Sequence, residues 1–263
     1  MASLSAVLPA YNEEAVIGQT VAAVDAALAD LASDYEIIVV DDGSRDRTAA
    51  HLAELQARYP RLRVERHPSN RGYGAALATG FSAARKELVF LTDGDKQFDV
   101  AELGAFLPLP DDVDLYVGYR QPRADPWPRR FYGWGWNQLV RLLFGPAARD
   151  VDCAFKLFRR EVWEQTAVHA TGATFSAEFL VKARSLGFRV RERPVRHYPR
   201  AAGSPTGARP AVIARAFKEL FRLRLNLRHE LAERQVRAAN LDGPAAHHTQ
   251  PPTPNPQPPR GGV

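Results

Sequence analysis

The sequence predicts an α/β protein built on a mostly parallel central sheet flanked by helices. Three observations carry this prediction. Short apolar runs alternate with stretches of helical periodicity. The runs are apolar at successive positions, as in strands covered on both faces. Polar clusters follow three of them directly: Tyr11-Asn12-Glu13, Asp41-Asp42 and Asp93-Gly94-Asp95. In open α/β sheets, ligands bind beyond the carboxyl ends of the strands.

The elements are read in chain order. Leu4 to Leu8 is a buried strand ending at Pro9. Asn12 is an N-cap candidate, Glu13 and Glu14 suit a first helical turn, and Ile17, Val21, Val24, Leu28 and Leu31 form one apolar stripe. Glu36 to Val40 is the second strand, followed by a helix from Asp46 to Tyr59 that Pro60 ends. Arg63 to Arg66, Leu88 to Thr92 and Leu115 to Gly118 read as further strands, with a small-residue helix at Tyr73 to Arg85. Beyond them come a Pro- and Arg-rich loop (Arg120 to Arg130), an aromatic helix (Phe131 to Phe144), a helix (Glu178 to Ser185) and a strand (Arg189 to Val195). A long helix is expected from Pro210 to about Ala239. From Asp242 there are seven prolines in 22 residues, which predicts a disordered tail. The expected domains are therefore 1–208, a basic amphipathic helix at 209–240, and the tail at 241–263.

Composition narrows the function. With 263 residues, 45% apolar and 25% charged, the chain can bury a full core. One Cys excludes an intramolecular disulfide framework and any multi-Cys metal site. No run of 18 residues is free of charge and Met1 to Ala10 has no basic region, so a soluble cytoplasmic protein is expected. The net charge of +5 conceals an asymmetry: −9 up to Gly118 and +14 from Tyr119 onward. An acidic first half suits a cation, and a basic second half suits phosphate or an anionic surface.

Asp93 and Asp95, one residue apart at a strand end, can converge on a hard divalent cation, with Gln97 as a neutral oxygen ligand; the same pattern also serves as a solvated turn. Asp41 and Asp42 can accept base N–H groups or ribose hydroxyls, or cap the turn that Gly43-Ser44 makes. Asn70-Arg71-Gly72-Tyr73-Gly74 matches neither a dinucleotide fingerprint nor a P-loop, and reads as a structural turn near the nucleotide.

Six segments carry a family resemblance: VLPAYNEE (7–14), IIVVDDGSRDRT (37–48), NRGYGAALATG (70–80), FLTDGDKQFD (90–99), DVDCAFKLFRR (150–160) and FSAEFLVKARSLGFRVRERPVRHYPR (175–200). Spanning roughly residues 4 to 205, they resemble the family 2 inverting glycosyltransferases of GT-A fold, the nucleotide-diphospho-sugar transferase fold. The nearest branch is that of dolichyl-phosphate mannose synthase and bacterial polyprenyl-phosphate glycosyltransferases. The resemblance implies nucleotide-sugar contacts at Pro9, Tyr11, Glu13, Asp41, Asp42 and Asp93. It implies Mg²⁺ or Mn²⁺ held by Asp93, Asp95 and Gln97, and basic groups for an acceptor phosphate at Arg120, Arg130 and Arg200. Glu178 falls where relatives acting on hydroxyl acceptors place a catalytic carboxylate. Lys96 and Ser204-Pro205 depart from the family pattern, Lys96 facing either the diphosphate or the metal.

The expected reaction moves a hexose from GDP-mannose or UDP-glucose to a polyprenyl or dolichyl phosphate, with inversion. The acceptor dianion needs no strong base, whereas a hydroxyl acceptor would need Glu178. The 209–240 helix places Arg215, Lys218, Arg222, Arg224, Arg228, Arg234 and Arg237 beside an apolar stripe, which predicts peripheral contact with the inner face of a membrane. Two rivals remain: transfer to a saccharide or small-molecule hydroxyl, and a non-enzymatic partner- or nucleic-acid-binding protein. A nucleic-acid partner is not expected, since basic and aromatic residues are not interleaved and the acidic clusters would have no use.

Overall fold

The computed structural model describes residues 2–199 and 216–227. Seven strands form one mixed sheet in the order β3-β2-β1-β4-β6-β5-β7. They are β1 (Ala2–Ala10), β2 (Ala32–Asp41), β3 (Leu62–Arg66), β4 (Leu88–Leu91), β5 (Leu115–Arg120), β6 (Lys156–Arg159) and β7 (Val190–Val195). The helices are α1 (Ile17–Leu31), α2 (Thr48–Arg58), α3 (Tyr73–Ala83), α4 (Trp127–Phe144), α5 (Arg160–Gln165) and α6 (Phe175–Ser185), with a 3-10 turn at Val100–Phe106 and a further helix, α7, at 216–227.

The apolar runs behave as expected. Along β1, Leu4, Ala6 and Leu8 face α1, whose Ile17, Val21, Val24 and Leu28 are fully buried against them. Each such side chain contributes about 1.5–3 kcal/mol by leaving water. Val7 and Val40 face the other way, against α3. Gly80 lets that helix touch the sheet, because a Cβ there would lie 2.3 Å from Val7 Cγ1. The same layer holds an aromatic cluster: Phe81 meets Phe158 edge-on at 5.1 Å, and Phe158 meets Phe179 at 5.2 Å.

Helix α5 and the 3-10 turn were not expected from the sequence, and further features differ from that expectation. Strand β6 was not anticipated: it has only four residues, and Lys156 interrupts its apolar pattern. It runs antiparallel to both β4 and β5, and the sheet is mostly parallel, as expected. Helix α4 starts at Trp127, four residues before the expected start, because Pro128 fits a helix's first turn. Helix α6 likewise starts at Phe175 instead of Glu178. Asn12 is not an N-cap: α1 begins at Ile17, and Asn12 bonds to a different loop, described below.

Helix α7 is a described part of the helix expected from Pro210. It buries Ala216, Leu220, Leu223 and Leu227 and leaves Phe217, Phe221 and Leu225 exposed. Phe217 meets Trp136 of α4 edge-on at 6.4 Å. Arg200, Arg215, Arg228, Arg234, Arg237, the boundaries at 208 and 240 and the tail at 241–263 lie outside the described residues. No helix among the described residues is long and apolar enough to cross a membrane.

Candidate functional site

Strand direction assembles the site. β1, β2 and β4 are parallel neighbours, so Ala10, Asp41 and the Thr92-Asp93 step emerge at one edge. Ala10 pairs with Asp41 in register, and Thr92 N–H donates to Val7 carbonyl. β5 and β7 run parallel to each other, and Gln121 N–H, just beyond β5, donates to Val195 carbonyl at the end of β7. β6 is reversed, with Lys156 paired to Leu91 and Val117, so residues 150–153 before it reach the same edge.

The loops after β1 and β2 are fastened to each other. Asn12 N–H donates to Ser44 Oγ (3.0 Å), and Asn12 Oδ1 accepts from Arg45 N–H (2.8 Å). Glu13 N–H donates to Thr48 Oγ1 (2.8 Å), Glu14 N–H to Asp46 Oδ2 (3.2 Å), and Glu14 Oε2 accepts from Arg47 N–H (2.8 Å). Pro9, Tyr11 and Glu13 are partly exposed along this rim. Asn12 sits at φ 57°, a left-handed turn that Asn tolerates.

Asp41 and Asp42 have different tasks. Asp42 accepts from Arg71 N–H (2.8 Å) and Gly72 N–H (2.9 Å), and pairs with His67 Nδ1 at 2.7 Å; His67 Nε2 reaches Thr79 Oγ1. Its carboxylate is therefore spent on pinning the 70–72 loop. Asp41, fully buried, accepts from Ser44 N–H through Oδ1. Its Oδ2 lies 3.2 Å from Arg66 Nε, an ion pair without hydrogen-bond geometry, so this buried oxygen has acceptor capacity to spare. Gly43, at φ 70°, lets the turn press on Ser69, where a Cβ would lie 2.4 Å from the carbonyl carbon.

The charges of Asp93, Asp152 and Asp95 all act on Tyr73. The Tyr73 hydroxyl donates to Asp93 Oδ1 (3.1 Å). Protein crowding around this ring, then Asp93, then the charges of Asp152 and Asp95 push the phenol well above its usual range. Asp152, accessible to solvent but similarly surrounded, is raised to about 6 by that crowding and then by Asp150. Carboxylate oxygens are the donor type that a hard divalent cation takes. Among the described residues no group of three or more His, Cys, Asp or Glu side chains is set for a metal. Gln97 also fastens the segment after β7: its Nε2 donates to Tyr198 carbonyl (3.1 Å) and its main-chain carbonyl accepts from Tyr198 N–H (2.9 Å). Lys96 turns away, donating to Gln19 Oε1 at 2.8 Å.

The residues expected to serve the acceptor are held as follows. Arg120 is gripped by Asp150 through Nε–Oδ2 and Nη2–Oδ1, each 2.6 Å, with its side chain 8% exposed. Arg130 is exposed on the first turn of α4. Glu178 is buried; it accepts from His169 N–H (3.0 Å) and Ala170 N–H (2.8 Å), and Lys182 Nζ lies at 2.9 Å. The 170–171 segment that it braces supports α3, since Ala75 N–H donates to Thr171 carbonyl. Sequence reasoning missed Asp152 and Lys156, which act on the charges around Tyr73 and Asp93. Lys156 is buried and donates to Cys153 carbonyl.

His197 offers a test of this field. Burial, then the charge of Arg120 with those of Arg123 and Arg129, outweighs Asp125 and pushes the imidazole down to about 4. The unfolded chain, near 6.5, binds the proton first. Stability is therefore full above about pH 6.5 and is lost as pH falls towards 4, by roughly 1–3 kcal/mol. Urea titrations should show His197→Asn with a flatter loss across that window; equal slopes would remove His197 as the cause.

Comparison with known proteins agrees with this architecture. Residues 5–166 match the model of "Glycosyl transferase family 2". The chain is 33% identical over 208 residues to a dolichyl-phosphate beta-glucosyltransferase of Trichomonas vaginalis, covering 72% of this chain and 62% of the relative. It is 32% identical over 203 residues to an undecaprenyl-phosphate 4-deoxy-4-formamido-L-arabinose transferase of Edwardsiella ictaluri, covering 76% and 61%. It thus spans less than two thirds of the length of these relatives. Among solved structures, glucosyl-3-phosphoglycerate synthase from Mycobacterium tuberculosis, in complex with Mn²⁺, UDP and glucosyl-3-phosphoglycerate, superposes with TM-score 0.63 at 21% identity, covering 84% of this chain and 80% of that one. Mannosyl-3-phosphoglycerate synthase from Rubrobacter xylanophilus does so with TM-score 0.62 at 19% identity, covering 96% and 79%. The likeness to these structures shows the GT-A fold. With its sheet, its edge of acids and this match over more than half its length, the chain belongs to glycosyl transferase family 2.

Proposed function

We propose that this protein transfers a hexose from a nucleoside-diphosphate sugar, GDP-mannose or UDP-glucose, to a polyprenyl or dolichyl phosphate at the cytoplasmic face of a membrane. A phosphate oxygen attacks the anomeric carbon, the bond to the nucleoside diphosphate breaks with its electron pair, and the configuration inverts. Asp41 would accept from the nucleotide with its spare buried oxygen, and the fastened 11–14 and 44–48 loops would hold the base side. Asp95 and Asp93 would hold a divalent cation, Mg²⁺ or Mn²⁺, whose chemistry is to neutralise the departing diphosphate.

The observation that supports a phosphate acceptor over a hydroxyl is the state of Glu178. A general base must keep a free acceptor within reach of the proton it takes. Glu178 instead spends both oxygens on backbone N–H groups and pairs with Lys182. A phosphomonoester arrives already ionised and needs no such base. Glu178→Gln is expected to lower the melting temperature by several degrees and leave the pH dependence of transfer unchanged. Loss of the acidic limb of that profile would restore Glu178 as the base.

Membrane contact is supported by what the helices leave uncovered. Trp127, Phe131, Tyr132 and Trp134 of α4 are each more than half exposed, and Phe217, Phe221 and Leu225 line the outer stripe of α7. Arg130, Lys218 and Arg222 are exposed beside them. Aromatic rings flanked by cations suit an anionic lipid interface. Donor labelled in its sugar, offered to anionic vesicles carrying polyprenyl phosphate, tests the whole reading. Label should enter the organic phase and the protein should sediment with the vesicles; label confined to water would defeat the proposal.

A further inference from the structure

We propose that Thr174 and Glu219 are positioning residues: the hydrogen bond between them sets the 170–171 segment, which in turn holds Tyr73 against Asp93. The donor role of Asp93 rests on the transferase reading above; the support itself does not.

Tyr73 stands between two glycines that lie on the backbone of another loop. Gly72 has φ 101°, a left-handed value that favours glycine. A Cβ there would lie 2.7 Å from the Thr171 carbonyl oxygen. One on Gly74 would lie 2.8 Å from the Thr171 carbonyl carbon and 3.0 Å from the Ala170 carbonyl oxygen. A helix leaves its first-turn N–H groups over, and that of Ala75 donates to Thr171 carbonyl at 3.2 Å. From the β2 side, Asp42 accepts from Arg71 N–H and Gly72 N–H. The turn is thus gripped from two sides, and the Tyr73 hydroxyl leaves it to meet Asp93 Oδ1 at 3.1 Å.

The 170–171 segment is itself held by two helices. From α6, Glu178 accepts from His169 N–H and Ala170 N–H, and Lys182 Nζ donates to Ala167 carbonyl at 2.6 Å. From α7, Glu219 Oε2 accepts from Thr174 Oγ1. Thr174 occupies the N-cap position of α6, where a threonine hydroxyl ordinarily accepts from the helix's own first turn. It makes no such bond here. The hydroxyl turns to α7 instead, and the same Glu219 oxygen would lie 3.8 Å from a Cβ on Gly172. Thr171 therefore sits between a brace at 169–170 and a tether at 172–174.

This links the two halves of the chain. Glu219 belongs to the basic half, yet Thr174, the 170–171 backbone and Tyr73 connect it to an acid just beyond β4. A hydrogen bond to Oδ1 fixes the rotation of the Asp93 side chain, and so the direction from which the carboxylate meets a ligand.

Hydrogen exchange of the unliganded full chain, beside calorimetric titration with UDP and with GDP in the presence of Mn²⁺, tests this. In Thr174→Val the amides at 74–76 should exchange about tenfold faster than in the wild type. The nucleotide that the wild type binds should bind about three- to tenfold more weakly. The melting temperature should move little, because the hydroxyl caps nothing in its own helix. Thr174→Ser and Glu219→Gln keep the donor and the acceptor, and should match the wild type in both readings. Tyr73→Phe removes the last link, so adding Thr174→Val to it should weaken binding no further. A merely structural threonine would give additive losses. Unchanged exchange in Thr174→Val overturns the support, and additive losses in the double variant overturn its action through Tyr73. Should Thr174→Val not fold, Glu219→Ala, at a partly exposed position, decides by the same readings. A wild type that binds neither nucleotide defeats the donor reading alone, and exchange still decides the support.

Discussion

Asp95→Asn is expected to lower sugar transfer by about a hundredfold or more, the range seen when one preorganised electrostatic contact to a reaction's developing charge is removed. The substitution is close to isosteric. Asp95 is buried, and its Oδ1 accepts from Gln97 N–H at 3.1 Å, a bond that the Asn carbonyl keeps. The turn should therefore survive and the melting temperature should move little. Single-turnover transfer from labelled donor, beside a thermal melt, separates the two effects. A rate within a few-fold of wild type would remove Asp95 from the chemistry.

Arg120→Ala is expected to act first on stability. The sequence suggests a guanidinium free for the acceptor, but Asp150 takes it in a two-bonded pair whose side chains are 8% and 9% exposed. Removing one partner of such a pair leaves a buried charge and costs about 3–5 kcal/mol. For a domain of this size that is a fall in melting temperature of roughly 6–20 °C. Adding Asp150→Ala should recover part of it, because the stranded charge is then gone. A variant that melts like wild type and changes only its demand for acceptor would show that Arg120 serves the ligand directly.

The sheet was legible because its chemistry is local. Leu4 to Leu8 and Ile37 to Val40 are apolar on both faces, and the acids that follow them fall at one edge by strand direction alone. The same locality explains what was missed. β6 is too short to show a period, and its Lys156 reads as a solvent residue although it is buried. Asn12 resembles a cap because a cap's partners are close in sequence, whereas its actual partners, Ser44 and Arg45, are more than thirty positions away. Charged residues were the hardest to place. Glu178, Arg120 and Asp42 each look available in the sequence, and each is committed to groups that only the folded chain brings near.

The reversed direction of β6 has an architectural consequence. Because β5 ends and β6 begins at the same rim, the whole excursion 121–149 leaves and re-enters the sheet at neighbouring points, and the bond pair between Arg120 and Asp150 clasps its two stems. Change within such a segment leaves the strand pairing beneath it untouched, because both stems are fixed before the excursion begins.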